Sequence, residues 1–351
     1  MKSVVVDKLA SVAQHNEIGD ELRLSSDIPC EEGVLVAVRV LNNKTRYNQL
    51  ELTSGRMATV TQGDIVVGAL GHRNALRGYS GRLPTHLEVG DHVHLLNIGG
   101  VLGICDSANP DVGPPFECEV LGTVLHFPYL GERIGVPARA GERQLDSEVA
   151  LNTHGVPVIA LAGTCMDSGK TAAACAIVGR LRHLGLRVAA CKATGVALRR
   201  DILAMEDAGA RDTMVFSDLG IVATTADNGP ALTRALLSTL ATRRPDAIVL
   251  ELGDGLLGAY GVEAILTDTA IRDALTAVVL CANDPVSAWG GVKLLRDQYE
   301  IEPVVVTGPA TDNAVGVDQI NERTGLKGIN ALSHGVALGD LLHTVVQEHN
   351  A

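Results

Sequence analysis

The 351-residue chain is 46% hydrophobic, 20% charged and only 3% aromatic, with 38 glycines; this composition excludes a disordered chain and fits two domains of ordinary size around aliphatic cores. The net charge of −12 divides evenly, with 13 Lys/Arg against 19 Asp/Glu in residues 1–150 and 16 against 22 in residues 151–351, so neither half has the basic balance of a nucleic-acid binder. No apolar run reaches transmembrane length, the N-terminus meets charges too early for a secretory signal, and seven scattered cysteines without a CxxC pair fit free thiols in a reducing cytoplasm.

Residues 1–150 read as short apolar runs punctuated by Gly, Asn, Asp and Pro. VLVAVRV (34–40), RMATVT (56–61), DIVVGAL (64–70), HVHLLNI (92–98) and ECEVLGTVLHF (117–127) are examples of these runs, and turn signals such as Gln62-Gly63-Asp64 and Val89-Gly90-Asp91 recur between them. No long helical period follows residue 25, which predicts a small all-β barrel or sandwich. A Gly/Pro/charge-rich stretch over 135–157 reads as a linker.

Residues 151–351 alternate apolar strands with helical patterns. Strands are predicted at 156–163, 186–193, 246–252, 275–283 and 302–308. Helices are predicted near 169–184, 198–209, 230–243, 262–273, 285–298 and 315–324. Buried Val/Ile/Leu-type strands with intervening helices predict an α/β domain with a parallel sheet covered on both faces.

The strongest signal is Gly163-Thr164-Cys165-Met166-Asp167-Ser168-Gly169-Lys170-Thr171, which follows the first of these strands and opens a helix. Strand, Gly-rich loop and helix are the context a phosphate-binding loop needs: backbone N–H groups and the helix N-terminus form an anion nest. Lys170 supplies a point charge for the β/γ-phosphates, and the Thr171 hydroxyl is placed to ligate Mg²⁺. The spacing is one residue longer than in the general pattern, with Thr164 in the usual first-Gly position.

With this loop GTCMDSGKT, the segment 156–325 resembles the dethiobiotin synthetase-like branch of P-loop enzymes, whose loop reads Gly-Thr-x-x-x-x-Gly-Lys-Thr. The turn Lys192-Ala193-Thr194-Gly195 resembles the branch's second-strand turn, and Glu251-Leu252-Gly253-Asp254-Gly255 its Glu-Gly-x-Gly segment. A related P-loop group, amino-acid N-acetyltransferases acting on D-glutamate, shares a Lys/Arg-x-Thr-Gly turn. The signature lysine of the ParA/MinD-type loop would fall at Cys165, which separates this chain from that subgroup.

These residues give a set of expectations. Lys170, Lys192 and Glu251 are expected to carry the chemistry. The loop 163–171 is expected to hold the cofactor, with Asn283 at the end of another strand and the loop Thr307-Gly308-Pro309 as candidates toward the base. Thr171 and Glu251 are expected on Mg²⁺. The resemblance adds an acid from the helix after Lys192; Asp201 and Asp207 are six apart and not on one face, so one of them serves, and Asp207 is assigned. Substrate contacts are expected from Lys192, Thr194, Gly195 and Asp254, with Arg73 and Arg77 of the basic loop 71–82. His92 and His94 alternate on one strand face but lack a third ligand in sequence, so a metal site is not expected there.

The function expected is a cytoplasmic, Mg²⁺- and ATP-dependent enzyme acting on a small carboxylate, of ligase or kinase type, which acts as a homo-oligomer and contacts neither nucleic acid nor membrane. An N-acyltransferase that uses the loop for acetyl-CoA is the second reading. A nucleotide-dependent switch or metallochaperone GTPase is the third; it would need a Cys/His cluster and an Asn-Lys-x-Asp motif, and the nearest match is Ala282-Asn283-Asp284-Pro285.

Overall fold

The computed structural model describes residues 1–16, 18–129, 131–141, 144–146 and 148–351. The chain divides into two compact units. Unit 1 comprises Met1–Leu145, Val196–Arg200 and Phe216–Ala223; unit 2 comprises Asp146–Gly195, Asp201–Val215 and Thr224–Ala351. The linker expected over 135–157 includes Glu142, Arg143 and Ser147, which lie outside the described residues.

Unit 1 is built from β1 Lys2–Val5, β2 Lys8–Leu9, β3 Glu21–Ser25, β4 Leu35–Val40, β5 Gln49–Glu51, β6 Met57–Thr59, β7 Ile65–Leu70, β8 Arg73–Asn74, β9 Tyr79–Arg82, β10 His92–Leu95, β11 Val101–Ala108, β12 Phe116–His126 and β13 Val136–Pro137. Its sheet closes on itself: β12 pairs β4, β4 pairs β7, β7 pairs β11, β11 pairs β10, and β10 pairs β12. Only the β7–β11 rung of this ring is parallel. Closure removes the open edges that a sandwich would leave, so the period-2 runs of the first half resolve as a barrel. Val36, Val38, Val66, Leu102 and Val120 fill its core.

Unit 2 alternates β14 Val158–Gly163, α1 Lys170–His183, β15 Val188–Lys192, α2 Arg200–Ala208, β16 Asp212–Val215, α3 Gly229–Ala241, β17 Ala247–Glu251, α4 Val262–Thr267, α5 Thr269–Ala274, β18 Leu275–Cys281, α6 Pro285–Tyr299, β19 Val305–Thr307, α7 Ala314–Thr324 and α8 Gly335–His349. The sheet order is β16-β15-β17-β14-β18-β19, and every rung is parallel. All six residues of β14 are buried, as a strand covered by helices on both faces requires.

In unit 2 three elements differ from expectation. The helix predicted over 262–273 is two short helices, because Asp268 turns extended (φ −68, ψ 111), caps α5 by accepting Ile271 N–H at 3.1 Å and ion-pairs with Arg234. Strand β16, Asp-Thr-Met-Val, is too short and polar to show a period. Helix α8 lies beyond the expected elements; Leu338, Leu342 and Val346, one turn apart, seat it in the core shared with Ile177 and Leu181 of α1.

Candidate active site at the C-terminal edge of the unit 2 sheet

Strand β14 delivers the glycine-rich loop to the carboxyl edge of the sheet, where ligands of open α/β folds collect. Asp167 (φ 59) and Gly169 (φ 87) adopt left-handed conformations, which turn successive backbone N–H groups into a concave nest at the start of α1. A Cβ at Gly163 would lie 2.5 Å from Ser168 Oγ and 2.6 Å from Lys170 Nζ, so a side chain there would displace the loop lysine from its present position. Lys170 is buried, and its Nζ donates to three neutral oxygens, Cys165 O (2.9 Å), Ser168 Oγ (3.3 Å) and Asp254 O. Its positive charge therefore stays available to an anion. On the far side of the loop, Thr164 N–H donates to Cys281 O (2.9 Å), Asn283 Nδ2 donates to Cys165 Sγ (3.0 Å), and Gly308 approaches Ser168 O so closely that a Cβ would meet it at 2.3 Å.

Strand register assembles the second half of the site. β17 lies between β14 and β15, with Leu161 opposite Glu251 and Lys192 also opposite Glu251. Glu251 is 2% exposed. The Thr171 hydroxyl donates to Glu251 Oε2 at 3.1 Å, and Lys192 Nζ lies 3.6 Å from Glu251 Oε1. Lys192 Nζ also donates to Asp201 Oδ2 at the start of α2. Burial pulls the Lys192 pKa down, but Asp201 and Glu251 more than offset this and hold it above the ordinary lysine value. Burial lifts the Glu251 carboxyl above the usual carboxylate range against the opposing pull of Lys192. Among the described residues no group of three or more His, Cys, Asp or Glu side chains forms a metal cluster; the hard-oxygen set here is two carboxylates and the Thr171 hydroxyl.

Unit 2 has the P-loop NTPase fold.

No protein-family model matches the chain, and no curated protein matches it. Among solved structures, a DUF1611 family protein from Anabaena variabilis is similar at 13% identity and a TM-score of 0.41, over 59% of this chain and 63% of that one. Signal recognition particle 54 kDa protein from Aeropyrum pernix in complex with GDP is similar at 18% identity and a TM-score of 0.38, over 58% of this chain and 51% of that one. Hydrogenase maturation factor HypB from Archaeoglobus fulgidus is similar at 13% identity and a TM-score of 0.39, over 55% of this chain and 91% of that one. The chain thus spans less than two thirds of the first two. The fold assignment stands on the loop and the parallel sheet themselves.

Several expected site residues are placed differently. Lys192 is not an open cation for substrate: the adjacency of β15 and β17 puts it among carboxylates. Asp207 is exposed on the last turn of α2, whereas Asp201 reaches Lys192. Six residues of helix separate them by roughly 240°, so only one faces the site. The charge of Asp207 is nonetheless felt nearby: burial, then Glu251, Asp201 and Asp207, push the Cys175 thiol up to about 11. Thr194 is fully buried and spends its hydroxyl on Gly253 O (3.0 Å), and Gly195 N–H donates to Thr224 Oγ1 (2.9 Å), so both build the wall of the site. Asp254 takes a left-handed conformation (φ 68), and its carbonyl serves Lys170.

In unit 1, Arg73 is buried. Its guanidinium donates to Tyr47 Oη (2.9 Å), Leu96 O and Arg77 O (3.5 Å) and stacks over the Tyr47 ring. It therefore anchors its own loop instead of offering a fork to substrate; Arg77 is exposed. His92 pairs with Glu117 (2.8 Å), and His94 Nδ1 accepts Cys105 N–H (3.1 Å). Thr224, which links Gly195 to Tyr260 O (2.8 Å), belongs to the site's support and is not among the expected residues. Twenty-nine residues separate it from Gly195, and no local signal marks it.

All seven cysteines are free thiols. Among the described residues no helix is long and apolar enough to cross a membrane.

Proposed function

We propose that unit 2 binds a nucleoside triphosphate, ATP foremost, with Mg²⁺, and uses it to activate the carboxylate of a small anionic metabolite as a ligase or kinase. The observation that carries the reading is the Thr171–Glu251 contact beside Lys170, a hydroxyl and a carboxylate held together one residue from the loop lysine. Thr171, Glu251 and, in place of Asp207, Asp201 are the residues that would hold Mg²⁺, and the ion would neutralise phosphate charge there. Thr164 Oγ1 and Asn283 Oδ1 fit a ligand-facing role: both are buried and have no hydrogen-bond partner among the described residues.

In this reading a substrate carboxylate oxygen forms a bond to the γ-phosphorus while the bond to the β–γ bridging oxygen breaks, giving an acyl phosphate and the nucleoside diphosphate. The loop N–H groups and Lys170 orient the phosphates and stabilise the charge that develops on the leaving group. An acetyl-CoA acyltransferase would use the same nest but has no need of the Thr171–Glu251 pair, which ranks it second.

The test is calorimetric titration with ATP, GTP and acetyl-CoA, each with and without Mg²⁺, on wild type and Lys170→Ala. Mg²⁺-dependent triphosphate binding that weakens about 100-fold or more in Lys170→Ala, with the melting transition still cooperative, is the expected result. Magnesium-independent acetyl-CoA binding by wild type moves the assignment to acyl transfer, and unchanged triphosphate affinity in Lys170→Ala removes the loop from the mechanism.

A further inference from the structure

An ammonium already occupies the carboxylates to which the proposed metal would go. Lys192 Nζ is ion-paired with Asp201 Oδ2 and lies 3.6 Å from Glu251 Oε1, and the three side chains are only 10%, 15% and 2% exposed. Two carboxylates this buried are costly unless a cation compensates them, and the lysine supplies that charge. A divalent cation between the same carboxylates would lie within a few ångströms of the ammonium, where poorly screened like charges repel strongly. Lysine and metal thus compete for one pair of anions.

The lysine is also built to leave. It is the last residue of β15, so its four-carbon stem pivots from a strand end. Its flank is Gly253, where a Cβ would lie 3.0 Å from Lys192 Cε; the missing side chain leaves the stem room. Thr171 Oγ1 sits on the other Glu251 oxygen, so the carboxylate stays oriented when the lysine moves.

We propose that Lys192 is an internal counter-ion that keeps Glu251 and Asp201 closed to divalent cations until a carboxylate or phosphoryl group of an incoming ligand draws its ammonium away. Metal binding at this edge is thereby coupled to arrival of the anionic substrate. The proposal rests on the nucleotide reading above and deepens it: Lys192 acts as a positioning residue in the free protein and as the substrate's cation in the loaded one.

The test uses full-length, nucleotide-free protein and Mn²⁺ alone, with free Mn²⁺ followed by electron paramagnetic resonance. Lys192→Met is expected to tighten Mn²⁺ binding about tenfold or more relative to wild type. Lys192→Arg, which keeps the charge, is expected to stay near wild type, and Lys192→Met with Asp201→Asn to fall back toward it. If Lys192→Met is unstable without metal, millimolar Mn²⁺ is expected to raise its melting temperature while leaving that of wild type unmoved. Equal Mn²⁺ affinity in wild type and Lys192→Met, or a Lys192→Met melting temperature that Mn²⁺ does not move, overturns the proposal. No nucleotide is present, so failure here is read separately from failure of the Lys170→Ala titration.

Discussion

At Gly253 the side chain is excluded first by backbone, with the flexible Lys192 stem as a lesser neighbour. A Cβ there would lie 2.2 Å from Thr194 O, and the turn that carries Thr194 is itself fixed by the Thr194 Oγ1 bond to Gly253 O. Neither chain segment can give way cheaply, so Gly253→Ala is expected to destabilise the protein by about 1–3 kcal/mol in a urea titration. Gly290, inside α6, has nothing within 4 Å of its would-be Cβ. Gly290→Ala is therefore expected to stabilise by about 0.5–1 kcal/mol through helix propensity. Equal effects of the two substitutions would refute the crowding at the site turn. The pair also separates two uses of glycine that look the same in sequence, one demanded by contact and one merely tolerated.

Strand pairing in unit 1 rests partly on one carboxylate. Asp64 closes the turn before β7 by accepting Thr61 N–H (2.7 Å) and ties in Lys8 of β2 through its Nζ (2.6 Å). Burial pushes the Asp64 carboxyl up, but Lys8 and the Thr61 N–H outweigh it, and the net pKa lies below the usual carboxylate value. A depressed folded pKa gives stability that is full above the unfolded pKa, about 4, and is lost as pH falls through the folded value. Asp64→Asn is expected to cost about 1–2 kcal/mol at pH 7. The same gap is expected at pH 5.5 and to shrink steadily below about pH 4. Urea titrations across this range check it; a gap that widens in acid would contradict the assigned role.

Across the whole molecule, chain order and compact units do not coincide. Residues 1–145 form the barrel, yet Ala197 and Val222 belong to its apolar core, Asn97 Nδ2 donates to Ala197 O (2.7 Å), and Glu32 Oε1 accepts the N–H groups of Val222 and Ala223 (both 3.0 Å). Glu51 is fully buried, and its Oε2 accepts Arg199 N–H at 2.8 Å. A fragment ending at Leu145 leaves these polar groups without their partners and strips apolar cover from the core, each a cost of order 1–3 kcal/mol. The 1–145 fragment is therefore expected to lack a cooperative thermal transition by circular dichroism, although its length alone is ample for a small barrel. A native-like transition in that fragment would show that the two later segments are dispensable.

Local features are legible in the chain alone. Period-2 runs marked β4, β7, β10 and β12 of the barrel ring but not β11, continuous Val/Ile/Leu runs marked every strand of the parallel sheet except β16, and GTCMDSGKT between strand and helix marked the loop, because neighbouring residues set these features. The sequence also placed Thr171 and Glu251 in one reading, since both sit at ends of elements that share a sheet edge. The pairing of distant segments is set by the folded arrangement and not by any local pattern. The ring of rungs that closes the barrel, the seating of Lys192 between Asp201 and Glu251, the internal anchoring of Arg73 and the membership of 196–200 and 216–223 in unit 1 all depend on which strands become neighbours. Charge type can be read from a chain; whether a charge faces an open site or an opposite charge is set by contacts between residues far apart in sequence, and local periodicity carries no record of them.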